Sequence, residues 1–248
     1  MKVTYIGHSG FMVETEIANL LFDYCEGVLP EVDCEKPFVV FVSHAHSDHY
    51  NPEIFALAKK YKNIQYVLSH DIRLTEELAK EYKMTRVFIM NRVISVQQGI
   101  RRVIPLSDAW GGDYIVMETI KSTDQGVAFL LNVGGKRIYH AGDLNCWVWE
   151  DDTKQEFNNM SALFKRAVER INGREIHLAF APLDPRQGKY YKLGMEYLLN
   201  AAPITYAVPM HFWQQPEIMD RYEEERQTKD LATTIVKLRQ GGDTIELT

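Results

Sequence analysis

The chain has 248 residues, 46% of them apolar and 25% charged, and a formal net charge of −6. That length and balance suit a globular protein whose core needs no covalent staples. The acidic balance, with no block or stripe of Lys and Arg, disfavours nonspecific binding to nucleic acid.

The three cysteines, Cys25, Cys34 and Cys146, follow no spacing pattern, so free thiols in a reducing, cytoplasmic setting are expected rather than a disulfide framework. The first residues carry one basic side chain and no following apolar run, and no apolar run reaches membrane-spanning length. Neither a signal peptide nor a membrane association is expected. No repeat, low-complexity tract or flexible linker divides the chain, and residues 1–248 read as a single domain.

In chain order, the reading begins with short β-rich runs at residues 2–6, 11–14 and 19–22, with turns at Gly7 and Gly10. Residues 37–43 are a continuous apolar, β-branched run that fits a strand buried on both faces. The segment His44-Ala45-His46-Ser47-Asp48-His49 follows at once. Asn51 and Pro52 then form a helix N-cap and first helical position, and Ile54, Phe55, Leu57, Ala58 and Tyr61 give that helix its apolar stripe. Strands are expected at 64–68, 86–89, 101–106, 114–120, 127–133 and 136–139, the last two joined as a hairpin by Gly134-Gly135. Phe157, Met160, Phe164, Ala167, Val168 and Ile171 mark a long amphipathic helix closed by Gly173. Strands at 176–180 and 204–208 flank a helix at 193–200. A last helix is expected over 227–238 and an edge strand over 244–247. Strand-rich halves that each trail helices imply sheets covered by helices.

In an extended segment, period two aims His44 and His46 the same way, so both can grip one ion. Asp48 and His49 come where the chain bends toward the next helix and can serve a second ion close by. Imidazole and carboxylate are ligands that borderline divalent metals such as zinc accept. Random placement at this composition would give the His-x-His-x-Asp-His pattern in roughly one such chain in two thousand, so it outranks most short motifs. The alternative, a merely polar surface loop, fits poorly with three histidines abutting a buried strand.

The segment resembles the signature of the metallo-β-lactamase-fold hydrolase superfamily. Other landmarks agree in order over nearly the whole chain. Leu20-Leu21-Phe22-Asp23 resembles an early strand ending in an acid, and Tyr139-His140-Ala141-Gly142-Asp143 resembles the strand whose Gly-Asp supplies a bridging carboxylate. Val208-Pro209-Met210-His211 resembles the late strand ending in a histidine ligand. The opening Tyr5-Ile6-Gly7-His8-Ser9-Gly10 is nearest to the branch containing ascorbate-phosphate lactonases and phospholipase-D-like phosphodiesterases.

The resemblance implies an α/β fold, a four-layer αββα sandwich, with His44 and His46 on a first metal, Asp48, His49 and His211 on a second, and Asp143 bridging them. It also implies one further histidine on the first metal, roughly twenty residues before Asp143. That stretch reads Ile120-Lys121-Ser122-Thr123-Asp124-Gln125-Gly126. Asp124 is the best chemical substitute; otherwise water completes the site or the first metal is absent. His70 lies too early, and His140 alternates away from the Asp143 side chain, so a place behind the ligands suits it better.

Around these residues, His8 reads as facing substrate or standing behind the ligands, or else as a satisfied turn histidine. Trp147, Trp149 and Trp213 read as pocket walls or as core. Arg186 and Lys189 lie on a polar loop before His211 and would bind an anionic substrate group, or simply be solvated. Cys146 carries no mark of a nucleophile, and Glu223, Glu224 and Glu225 read as a solvated helix face.

The implied activity is hydrolysis of a small-molecule ester, lactone or phosphodiester by a metal-bound hydroxide, with Asp48 orienting it and passing a proton to the leaving group. One or two divalent ions are expected, zinc first, with manganese or iron as alternatives. A metal-binding protein that has lost catalysis is the rival reading, motivated by the missing histidine. A redox di-iron protein is disfavoured, because that branch usually has Glu where His46 stands and no flavin-binding domain follows. Nothing in the sequence speaks to oligomeric state.

Overall fold

The structure is a computed structural model describing residues 1–107, 112–228 and 232–248. Its strands are β1 (Lys2–Gly7), β2 (Gly10–Glu14), β3 (Asn19–Phe22), β4 (Phe38–Val42), β5 (Ile64–Ser69), β6 (Val93–Val96) and β7 (Arg101–Pro105). They continue with β8 (Tyr114–Lys121), β9 (Val127–Val133), β10 (Lys136–His140), β11 (Ile176–Pro182), β12 (Ile204–Met210), β13 (Thr234–Ile235) and β14 (Thr244–Glu246). One mixed sheet has the order β14-β1-β2-β3-β4-β5-β6 and the other β13-β12-β11-β10-β9-β8-β7.

Alternation along each strand decides which residues meet between the sheets. In β4 every side chain is buried. Val39 and Phe41 face the second sheet and join a cluster with Phe129, while Phe38, Val40 and Val42 join a separate cluster on the outer face. Phe11 meets Phe180 at 4.3 Å between ring centroids, and Phe41 meets Phe129 at 5.3 Å, so the two sheets pack face to face. The outer face of the first sheet is covered by the 3-10 segment Pro52–Lys59 and by α1 (Glu76–Glu81) and α2 (Arg86–Arg92). That of the second is covered by α3 (Lys154–Val168), α4 (Leu193–Ala201) and α5 (Ile218–Glu225). The result is the expected helix–sheet–sheet–helix sandwich. No described helix is long and apolar enough to cross a membrane.

Local chemistry explains most boundaries. Asn51 caps the segment after the histidine cluster by accepting from the Glu53 amide at 2.9 Å, and Pro52 follows it as expected. That segment is 3-10 rather than α-helical. Thr153 and Glu156 form a reciprocal capping box on α3, and Gly173 follows in the left-handed region at φ 69°.

Two expectations fail. Residues 86–89 belong to α2, not a strand: Thr85 accepts from the Phe88 amide at 3.1 Å, and the helix turns Phe88 and Ile89 onto the outer cluster. The neighbouring strand is β6. The helix expected over 227–238 is also absent from its described part. The helix there is α5, which ends at Glu225, and Thr234–Ile235 pairs in parallel with Tyr206 and Ala207 of β12 instead. Residues 229–231 of that expectation lie outside the described residues.

The topology fixes where chemistry can gather. β3, β4, β5 and β6 run parallel, as do β10, β11, β12 and β13. Their C-terminal ends, with the β1–β2 turn, meet at one edge of the sandwich, where side chains escape the sheet ladder and converge on shared space.

Candidate metal centre

Asp23 follows β3, and Ser43 follows β4, the neighbouring parallel strand. The Ser43 amide donates to Asp23 Oδ1 at 2.7 Å and its hydroxyl to Asp23 Oδ2 at 2.6 Å. His49 Nδ1 lies 2.7 Å from Asp23 Oδ2, and His44 Nδ1 lies 2.9 Å from Ser43 Oγ. The ionised carboxylate can only accept, so each Nδ1 donates to its support and each ring turns its Nε2 the other way. Asp184 does the same for His211, lying 3.0 Å from its Nδ1. Three imidazoles are therefore aimed Nε2-first at one place.

Asp143 occupies that place. Its Oδ2 is 3.4 Å from His44 Nε2, while its Oδ1 is 3.0 Å from His49 Nε2 and 3.3 Å from His211 Nε2. On the His44 side, His46 Nδ1 is 3.0 Å from His44 Nε2, and Asp124 Oδ2 is 3.9 Å from His46 Nδ1. On the other side, Asp48 Oδ2 is 4.0 Å from His211 Nε2 and 3.4 Å from His8 Nε2. Close approach of two loops depends on glycine. Gly142, at φ 51°, would set a Cβ 2.7 Å from Ser43 Oγ, and at Gly126, φ 71°, a Cβ would collide with the Ser43 carbonyl. Among the described residues, five non-glycine positions have positive φ. Four lie here: His8 at 49°, Asp23 at 40°, His211 at 61° and Trp213 at 54°. Each such conformation costs about 1–3 kcal/mol, which the surrounding contacts must offset.

The electrostatics are one-sided. Burial pushes the Asp143 carboxyl up, but His44 and His49 outweigh it and hold it well below the usual range. Burial likewise opposes ionisation of Asp23 and Asp184, and is outweighed by His140 and His49 for the first and by His211 and Arg186 for the second. His8, above all, holds Asp48 low. Burial alone would strip the proton from His49, yet Asp143 and Asp23 keep it up to about 10. The His8 ring is pushed down by burial despite Asp48. Four carboxylates stay ionised in a largely buried space, a field that favours cations.

The donors fit a divalent metal. Among the described residues, His49 Nε2, His8 Nε2 and Asp143 Oδ1 are buried side-chain atoms without a hydrogen-bond partner, a costly arrangement unless an ion receives their lone pairs. Four overlapping donor groups lie within ion-binding reach. They are His8, Asp48, His49 and His211; His44, His46 and Asp48; His44, His49 and Asp143; and His46, Asp124 and Asp143.

The remaining candidates fall around this centre. Trp147 donates from Nε1 to the Asp143 carbonyl at 2.8 Å, and its ring stands 5.3 Å from His211 and stacks on Trp149 at 6.2 Å. Trp213 donates to Asp184 Oδ2 at 3.3 Å and carries the Arg186 guanidinium 4.4 Å above its ring. Arg186 grips Asp184 through Nε and Nη2, the latter at 2.6 Å. Lys189 is exposed, its ammonium 4.9 Å from the Tyr190 ring. His140 stacks on Phe22 and stands behind the centre, 3.0 Å from the Ser9 carbonyl.

Sequence reasoning left Asp23, Ser43 and Asp184 without roles. Each of the two acids closes a buried apolar run, and that position was the available signal. His8 lies buried among the donors, its Nε2 3.4 Å from Asp48 Oδ2.

A layered αββα sandwich with a histidine and aspartate cluster at the strand ends is the architecture of the metallo-β-lactamase fold. The chain belongs to the β-lactamase superfamily, whose domain matches residues 2–164, and it is a metal-dependent hydrolase like its relatives. It is 30% identical to a UPF0173 metal-dependent hydrolase of Bacillus velezensis, with all of both chains covered. Igni18, a metallo hydrolase from Ignicoccus hospitalis, shares the fold with a TM-score of 0.60 at 17% identity, covering 100% of this chain and 99% of that one. So does CmlA, a diiron β-hydroxylase from Streptomyces venezuelae, with a TM-score of 0.60 at 12% identity. That match covers 99% of this chain and 54% of CmlA.

Proposed function

We propose that this hydrolase cleaves a small ester, lactone or phosphodiester, using one or two divalent ions, zinc first, seated on either side of Asp143. His44, His46 and Asp124 would hold one ion, Asp48, His49 and His211 the other, and Asp143 would bridge them. The observation that carries this reading is the split of the Asp143 carboxylate. One oxygen faces His44 and the other faces His49 and His211, all within 3.0 to 3.4 Å.

Bound cations supply Lewis acidity, lowering the pKa of water and offsetting negative charge that develops on the substrate. The protein's own groups do the rest. Asp48, ionised and part-exposed, would orient the attacking water, accept a proton from it and pass that proton on to the leaving group. Asp23, Ser43 and Asp184 hold the histidine rings in one tautomer. Trp147 and Trp213 wall the approach and exclude water. Arg186 keeps Nη1 for an anionic substrate group while Asp184 holds its other edge. The oxygen-richer His46–Asp124 side also suits manganese or iron. Three unpaired thiols fit a reducing cytoplasm.

The test is a panel of lactones, carboxylic esters and phosphodiesters, assayed after stripping metal and adding back zinc, manganese or iron. At least one combination should turn over. Asp143→Ala should lose more than the roughly tenfold to hundredfold that changes behind the ligands cost, with an unaltered circular dichroism spectrum. A fully active Asp143→Ala protein would overturn the assignment.

A further inference from the structure

Resting on that reading, we infer that His8 is a fifth protein ligand of the ion on the His49–His211 side, closing its shell beyond Asp48, His49, His211 and the shared Asp143.

His8 sits in the β1–β2 turn, about 200 residues from His211 in sequence, yet the two are locked together. The His211 amide donates to the His8 carbonyl at 3.3 Å, and both residues adopt positive φ. The His8 ring is fixed by its neighbours, with centroids 4.2 Å from His211, 4.7 Å from Trp213 and 5.4 Å from His49. This packing buries Nε2 and aims it into the centre, where no hydrogen bond receives it. Asp48 Oδ2 is 3.4 Å away, long for a charged hydrogen bond, but the spacing of two ligands around an ion with bonds of about 2.1 Å. One donor atom from each of His8, Asp48, His49 and His211 lies within 4.8 Å of all the others. A ring held in a strained turn, with a buried nitrogen that no well-formed hydrogen bond receives, is costly unless it binds something. Three further donors converge on the same space.

This assignment divides the labour of the centre. The His49–His211 side becomes a three-histidine site that holds its ion, and the half-exposed side chains of His46 and Asp124 leave the other side open to water.

The experiment counts histidines on the ion directly. Wild-type protein is stripped, loaded with ¹¹³Cd, and its proton–cadmium couplings are assigned. Couplings from His8, His49 and His211 to one cadmium are expected; couplings from His49 and His211 without His8 overturn this inference and leave the proposed function standing. Failure to bind cadmium or zinc at all overturns both. In parallel, zinc competition with a chromophoric chelator should show the tight equivalent weakened at least about tenfold in His8→Ala. His8→Gln, which can still hydrogen-bond Asp48, should not restore it. Wild-type affinity in either variant would make His8 a support for Asp48 and overturn its place as a ligand.

Discussion

On the side of Asp143 that faces His49 and His211, those donors are almost wholly buried, and each imidazole is backed by a carboxylate: Asp23 behind His49, Asp184 behind His211. On the side that faces His44 and His46, only His44 is buried. Its support comes from the Ser43 hydroxyl, and the side chains of His46 and Asp124 are 48% and 49% exposed. The same ligand chemistry is thus presented in two physical states. Rings held in place bind an ion without losing further freedom, whereas His46 and Asp124 must be ordered on binding, at a cost of about 0.5–2 kcal/mol per side chain. Burial also strengthens the attraction between carboxylate and cation on the first side, while solvent screens it on the second. One ion should therefore be held tightly and the other loosely.

The strongest way to break this contrast is to remove the supports. Asp23 serves both sides, through Ser43 and His44 on one and through His49 on the other. Among the described donor rings, Asp184 supports His211 alone. Asp23→Asn should weaken both ions by roughly tenfold to a hundredfold, and Asp184→Asn should weaken only the tighter one by a similar factor. Stepwise chelator competition separates the two affinities. Equal loss of both ions in Asp184→Asn would show that the sides are not independent.

These supports mark where sequence reading stops. The apolar β4 run and the histidine cluster behind it were legible because their signals are local, a period of two and adjacency along the chain. Asp143 and His211 were legible as strand-end residues of a familiar pattern. Asp23 and His49, however, are 26 residues apart, and Asp184 and His211 are 27 apart. Their contacts exist only because parallel strands end in register, which no local spacing encodes. Local propensity misled at Arg86–Arg92, where a β-branched and aromatic run folds as a helix because Thr85 caps it and Phe88 and Ile89 find an apolar face. It misled again near the C-terminus, where Thr234 and Ile235 complete the edge of a sheet. His8 reads as facing substrate, standing behind the ligands or satisfied in its turn, and local spacing does not choose among these; the fold brings the β1–β2 turn beside the end of β12.

A smaller effect is expected from Asp124, which stands in the stretch where the superfamily pattern calls for a histidine. The structure brings it to 3.9 Å from His46 Nδ1, within reach of the looser ion. Dialysed wild-type protein should retain one equivalent of metal. Asp124→Ala should retain that equivalent too, but need about tenfold more added metal to fill the second site. Two tightly held equivalents in both proteins would show that exposure of His46 and Asp124 does not weaken the site.

The smallest effect concerns the rim rather than the ions. Arg186 commits one edge of its guanidinium to Asp184 and its face to Trp213, so it can offer substrate only the remaining edge. Lys189 has a mobile stem and an exposed ammonium. Charges this solvated contribute on the order of 1 kcal/mol each to binding an anion, several-fold in affinity. The double variant Arg186→Ala with Lys189→Ala should therefore raise KM by about fivefold to thirtyfold and lower kcat less. A drop in kcat larger than the rise in KM would place Arg186 with the supports. Its loss would then be felt through Asp184 and the His211 ring, and the double variant would also release the tighter ion. An unchanged KM would remove the anionic group from the substrate and leave both sides of Asp143 as they are.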